Sequence, residues 1–154
     1  MRVIATSEQD TESVGGRLAR AIPHPHPQAL QVQLHGDLGA GKTTLARGFL
    51  RALGYRDVVR SPTYTLVETY AFGTLTVVHA DLYRLQDPAE FETLGLRDLA
   101  TGAHVWLIEW PERAGPWLPD ADLHIALAAE RSCHTLEFRA ASPAGVQWLA
   151  HSSS

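Results

Sequence analysis

Gly36-Asp37-Leu38-Gly39-Ala40-Gly41-Lys42-Thr43-Thr44 fits the phosphate-loop pattern G-x-x-x-x-G-K-[ST] at every fixed position. Upstream, Ala29 to His35 alternates apolar and polar residues as a strand does. Downstream, Leu45, Ala46, Phe49, Leu50 and Leu53 recur at helical spacing until Gly54 stops the helix. Strand, glycine loop and helix are the context the pattern needs. Glycines let successive backbone N–H groups turn inward toward phosphate oxygens, and the helix that starts there adds the positive end of its dipole. Lys42 is then expected to reach the β- and γ-phosphates, and the Thr43 hydroxyl to ligate Mg²⁺. Lys42 is also the only lysine in the chain. A compact ammonium at that one position suits a point-charge contact in a narrow loop better than a planar guanidinium does.

The chain as a whole bounds the alternatives. At 154 residues it reads as a single domain spanning 1–154, with 45% hydrophobic and 19% charged residues, as soluble globular proteins have. A formal net charge of -4 argues against a general nucleic-acid binder, which presents a basic face to phosphates. With Cys133 alone, no internal disulfide can form, and no apolar run approaches the roughly 18–20 residues of a membrane span. The start, Met1 to Thr6, reads as a short strand and lacks the apolar stretch of a signal peptide, so a cytoplasmic protein is expected.

Taken in order, Ser7 and Asp10 are placed as a capping box for a helix whose Val14, Leu18 and Ile22 share a face. Pro23-His24-Pro25-His26-Pro27 reads as an extended, solvated linker rather than a metal-ligand pair, since no third ligand is near in sequence. Thr65 to Ala80 reads as an antiparallel hairpin turning at Gly73. Just before it, Ser61, Thr63 and Thr65 cluster hydroxyls around Pro62. Such a loop either carries switch-like contacts to a γ-phosphate or satisfies its own turn backbone.

Two acidic positions stand at strand ends. His79 and Asp81 face the same side of a strand, and Asp81 is placed either to hold a metal-bound water or to cap the following turn. Val105 to Ile108 is the run of a strand buried on both faces, and Glu109 follows it as a Walker B carboxylate follows its strand. Its role is to reach the metal or hold the attacking water. Trp110 beside it reads equally as a cover, a docking surface or packing. Asp87-Pro88 and Gly95 bracket a helix. Asp122 to Ala128 and Cys133 to Arg139 read as two strands joined through a turn holding Arg131, which either contacts nucleotide or is simply exposed. Ser142-Pro143 starts a last helix carrying Val146, Trp148 and Leu149, and Ser152 to Ser154 is a loose end.

Four blocks in this order, the phosphate loop, Ser61-Pro62-Thr63-Tyr64-Thr65-Leu66-Val67-Glu68, His79-Ala80-Asp81-Leu82-Tyr83-Arg84-Leu85 and Ile108-Glu109-Trp110-Pro111-Glu112, closely resemble the TsaE (YjeE) family. That family is the small bacterial ATPase of tRNA threonylcarbamoyladenosine (t6A) biosynthesis. The resemblance covers almost the full chain. It implies an ATPase that binds ATP and Mg²⁺, is slow alone, and performs no threonylcarbamoyl transfer itself. TsaD and TsaB are implied as the partners that modify adenosine 37 of tRNA, so tRNA is met only through the complex. It further implies an α/β, P-loop NTPase-like three-layer sandwich with a mixed sheet, including an antiparallel hairpin and late antiparallel strands. By position, Gly36 to Thr44 are the nucleotide-binding loop, Thr43 and Glu109 resemble Mg²⁺ ligands, and Asp81, Glu109 and Lys42 resemble the catalytic set. Ser61, Thr63 and Thr65 resemble the switch loop, and Thr11 and Arg131 resemble contacts on the base and ribose side.

Two other classes bear on the same motif. The ordinary small-GTPase form needs an Asn-Lys-x-Asp base reader, and the chain has no asparagine and no second lysine. A small-molecule or nucleotide kinase would need an arginine-bearing lid that no insertion here supplies, whereas a non-catalytic ATP-dependent adaptor would use the same binding residues as an ATPase.

Overall fold

The structure, a computed structural model, describes residues 1–62 and 64–153. Its strands are β1 (Arg2–Ala5), β2 (Leu30–His35), β3 (Val67–Phe72), β4 (Leu75–Asp81), β5 (His104–Glu109), β6 (Leu123–Ala129) and β7 (His134–Ala140). They form one mixed sheet in the order β1-β7-β6-β2-β5-β4-β3. The four central strands, β6, β2, β5 and β4, run parallel, and the expected hairpin adds β3 antiparallel at one side. At the other side β7 lies antiparallel to β6, and β1 antiparallel to β7. This is the α/β fold with a mixed sheet that the family resemblance implies, and the antiparallel hairpin and late strands fall where the pattern placed them.

Strand β2 departs from its alternating reading in one respect. Its polar positions are not solvent-facing: Gln31 and Gln33 are buried along with Leu30, Val32 and Leu34. A central parallel strand has both faces covered, so these amides are satisfied internally. Gln33 Nε2 donates to Gln31 Oε1 at 2.7 Å, and Gln31 Nε2 donates to the Pro119 carbonyl at 3.2 Å.

One face of the sheet carries α1 (Glu8–Arg20), α2 (Lys42–Ala52) and α3 (Pro143–Ser152). Val14 and Leu18 of α1, Leu45, Phe49 and Leu50 of α2, and Trp148 of α3 pack on Val32, Leu34, Leu107, Ile125 and Leu136 of the strands. Each such fully buried side chain contributes about 1.5–3 kcal/mol over its exposed state. Trp148 also satisfies its indole N–H, which donates to the Leu18 carbonyl at 2.8 Å. Val146 of α3 points to solvent with 62% exposure, while Trp148 is buried. Ser152 is not part of a loose end: it is buried in the last turn of α3, while Ser154 lies outside the described residues.

Helices α1 and α2 touch backbone to backbone. A Cβ on Gly15 would collide with the Leu45 carbonyl oxygen, and one on Gly48 with the Glu12 carbonyl oxygen, so only glycine permits this approach. Glu12 then bridges to Arg47 at 3.2 Å and Arg51 at 3.1 Å. The cap of α1 also differs in detail from a reciprocal box. Ser7 Oγ accepts from the Asp10 N–H as expected, but Asp10 reaches back to Thr6, not Ser7.

The opposite face is covered over β4 and β5, where Val78, Ala80, Trp106 and Ile108 meet Leu82, Leu85, Phe91 and Leu96. The segment from Asp87 to Gly95 forms as predicted, with Asp87 and Glu90 exchanging capping bonds, but as a 3₁₀ helix over Pro88–Leu94. Phe91 and Leu94, three residues apart, share a face of such a turn, and the i→i+3 pitch brings both to the sheet. The proline-rich segment is less solvated than its composition suggests: His26 is buried, with Nδ1 3.0 Å from the Gln28 carbonyl. Among the described residues no helix is long and apolar enough to cross a membrane.

Candidate active site

The C-terminal edge of the parallel strands carries the site. β2 ends at His35, the loop follows, and α2 starts at Lys42. Gly36 lies so close to β6 that a Cβ would strike the Leu127 carbonyl oxygen, and Gly41 caps α2 with φ 107°, a value that L side chains rarely adopt. No side chain of the cap residue hydrogen-bonds to the start of the helix, so its first N–H groups lack intrahelical partners.

Lys42 folds back across the loop. Its Nζ donates to the Gly36 carbonyl and stands 3.6 Å from the centroid of the Trp110 ring. Trp110 reaches that position from a left-handed backbone, φ 57°, directly after Glu109. Burial pushes the Lys42 ammonium below the usual lysine range, and the carboxylates of Glu109, Asp81, Glu112 and Asp37 oppose that shift.

The two acidic residues arrive side by side because β4 and β5 pair in parallel with Asp81 opposite Glu109. Glu109 is buried, and the Thr43 hydroxyl lies 3.2 Å from its Oε1 and 3.1 Å from its Oε2. His79 Nε2 meets the same Oε2 at 2.6 Å. Asp81 combines both readings of its sequence position. Its Oδ1 accepts from the Tyr83 N–H at 3.0 Å, capping the turn, while the Ser61 hydroxyl donates to its Oδ2 and the side chain borders the cleft.

The cleft has a volume of about 580 Å³, within the range of small-molecule sites. Of the residues singled out from sequence, Thr11, Leu38, Gly39, Gly41, Lys42, Thr43, Thr44, Asp81, Glu109 and Arg131 line it. Gly36 and Ala40 stand behind it: their carbonyls hold Lys42 and His134 Nδ1, the latter at 2.7 Å. Asp37 is exposed outside the lining. Thr65 turns away, its hydroxyl 3.3 Å from Glu68 Oε1, and Thr63 lies outside the described residues.

Thr6, Ser7, Glu8, Glu130, Ser132, Cys133 and His134 also form the wall, and sequence reasoning passed over them as site residues. The signal was the strand order: β6 neighbours β2 in parallel, so the β6–β7 turn must end beside the phosphate loop. His134 against Gly41 follows from that adjacency.

One hydroxyl and one carboxylate, Thr43 and Glu109, converge at the cleft wall, and no group of three or more His, Cys, Asp or Glu fit to hold a metal occurs among the described residues. That donor set suits Mg²⁺, a hard ion that keeps waters and shares phosphate oxygens, and not an ion needing an all-protein cage.

Residues 5–136 match the family model described as "Threonylcarbamoyl adenosine biosynthesis protein TsaE". A protein of Haemophilus influenzae named tRNA threonylcarbamoyladenosine biosynthesis protein TsaE is 47% identical over 110 residues, covering 71% of this chain and 70% of that one. A protein of Treponema pallidum with the same name is 36% identical over 127 residues, covering 82% of this chain and 90% of that one. The crystal structure of Bacillus subtilis YdiB superposes with a TM-score of 0.77 at 26% identity, covering 99% of this chain and 93% of that one.

Proposed function

We propose, because the chain belongs to the TsaE family of threonylcarbamoyl adenosine biosynthesis proteins, that it is a slow Mg²⁺-dependent ATPase acting with TsaD and TsaB in t6A formation on tRNA. The observation that carries the ATPase reading is the meeting of the Thr43 hydroxyl with the Glu109 carboxylate at 3.1–3.2 Å, beside Lys42 and Asp81 in one cleft.

On this reading the N–H groups at the start of α2 and the Lys42 ammonium hold the β- and γ-phosphates. Bound Mg²⁺ supplies neutralisation of charge on those phosphate oxygens. Thr43 and Glu109 hold it. Asp81 orients the attacking water and accepts its proton, and Thr11 and Arg131 contact the nucleoside side. Ser61, bonded to Asp81, couples the loop after α2 to the water-holding carboxylate. TsaD and TsaB carry out the transfer, tRNA is met through them, and the setting is the cytoplasm.

Among the described residues Arg131 is the arginine that lines the cleft, and this reading assigns it to the nucleoside side. A cation supplied to the transition state is worth about 10³–10⁵ in rate in P-loop proteins. Turnover by the isolated chain should therefore be slow and should rise when a TsaB–TsaD pair is added. The test is steady-state ATP hydrolysis with and without the pair, alongside a t6A assay with and without this chain. Fast hydrolysis by the chain alone, unchanged by the pair, overturns the partnered ATPase, and binding without single-turnover hydrolysis leaves a non-catalytic adaptor.

A further inference from the structure

We propose that His79 is a positioning residue for Glu109, holding the carboxylate in the orientation on which metal-dependent nucleotide binding depends. The inference rests on the assignment of Glu109 to Mg²⁺ made above.

His79 is completely buried in β4, and its ring reaches across to β5, where Nε2 lies 2.6 Å from Glu109 Oε2. The other ring nitrogen, Nδ1, is buried with no hydrogen-bond partner among the described residues. Opposite a carboxylate, a hydrogen on Nδ1 alone would leave that donor buried unsatisfied and two acceptors facing each other at 2.6 Å. With a hydrogen on Nε2, the short contact is a hydrogen bond to the carboxylate. The geometry therefore favours Nε2–H donating to Glu109.

This arrangement matters because Glu109 is buried, with 2% of its surface exposed. Its other donor is the Thr43 hydroxyl, whose oxygen is also the atom assigned to the metal. With the Thr43 oxygen engaged by a metal, His79 would still hold Oε2, and Oε1 is the oxygen it leaves unheld. The side chain is not a general base in this scheme, since it meets the cleft only through Glu109: it is absent from the cleft lining.

The test is calorimetric titration with ADP, so that hydrolysis plays no part, at graded Mg²⁺ concentrations and in excess EDTA. Loss of a residue that orients a metal ligand typically lowers metal affinity by about 10–100-fold. His79→Leu should raise the Mg²⁺ concentration needed for tight ADP binding by that factor, with the EDTA value unchanged. His79→Gln places an amide N–H near the position of Nε2 and should retain most of the wild-type response.

Three results overturn the proposal: an unchanged Mg²⁺ requirement in His79→Leu, an equal loss with and without Mg²⁺, or a His79→Gln protein no better than His79→Leu. Should His79→Leu not fold, ¹⁵N NMR of the wild-type imidazoles decides alone. A hydrogen on Nε2 of His79 supports the inference, and an Nδ1–H tautomer with bare Nε2 refutes it. If wild-type ADP binding shows no Mg²⁺ dependence at all, the metal role of Glu109 fails first and takes this inference with it, a pattern distinct from the other three.

Discussion

The Lys42 ammonium rests against the Trp110 ring, 3.6 Å from its centroid, while donating to the carbonyl of Gly36 at the far end of the same loop. A cation held between a π-face and a carbonyl sits at the phosphate-loop motif and is only lightly hydrated there. On the proposed reading, bound nucleotide would exchange these contacts for phosphate oxygens. Lys42→Ala should lower ATP hydrolysis by about 10²–10³-fold, the scale of losing one preorganised donor, with far-UV circular dichroism unchanged. A folded Lys42→Ala protein that hydrolyses Mg·ATP at the wild-type rate would falsify the assignment of the loop.

The two carboxylates should separate by what they change. Glu109→Ala should weaken ATP binding in Mg²⁺ and slow hydrolysis together, because it removes the buried carboxylate proposed to hold the metal. Asp81→Asn should leave Mg²⁺-dependent binding nearly intact and cut turnover by about 10²–10⁴-fold, the usual size of general acid–base assistance. Calorimetry paired with single-turnover hydrolysis reads both. If Asp81→Asn abolishes Mg²⁺-dependent binding while Glu109→Ala leaves binding and rate intact, the roles must be exchanged.

Gly48→Ala and Gly15→Ala should each destabilise the fold, since each new methyl would enter a backbone carbonyl of the facing helix. Overpacking of this kind costs about 1–3 kcal/mol or more, which for a chain of this size lowers the melting temperature by roughly 2–4 °C per kcal/mol. Differential scanning calorimetry measures it. Wild-type melting in both variants would mean that α1 and α2 can slide apart at no cost.

The His35–His124 pair gives stability a pH dependence. His35 Nε2 lies 2.9 Å from His124 Nδ1, and burial lowers both imidazoles below their ordinary value of 6.5, aided by Arg139 and opposed at His35 by Glu112. Because the folded pKa is the lower one, the unfolded chain takes up protons first. The contribution is complete above the ordinary imidazole pKa and is lost as pH falls from there through the folded values. The urea midpoint should drop from about pH 8 to about pH 5.5, and the drop should be smaller in a His35→Phe/His124→Phe variant. Equal drops in both proteins would assign the effect to other groups.

Much of this was legible in the sequence where local chemistry and global position agree. The phosphate loop, the hairpin at Gly73 and the Glu109 strand each carry their own pattern of spacing, and each fell where that pattern put it. What periodicity could not supply was the lateral order of strands. Gln31 and Gln33 look solvent-facing until β2 is known to be central, and the Glu130–His134 turn looks peripheral until β6 is known to flank β2. Thr65 illustrates the opposite limit. A hydroxyl three residues from Glu68 reads as a candidate phosphate contact, yet the nearby carboxylate claims it first.

The glycine-to-backbone seam between α1 and α2 has a mechanical consequence. α1 carries Thr11 on one flank of the cleft, and α2 carries Lys42 and Thr43 at its floor. With carbonyls nested against glycines and Glu12 clamped by two arginines, these parts are tied into one unit. The other side, where Ser61 is bonded to Asp81 and Leu66 sits in a left-handed kink at φ 63°, lacks such a seam among the described residues, and an opening stroke would fall there. A partner that grips this second side would set the rate at which nucleotide enters and leaves without touching the phosphate loop.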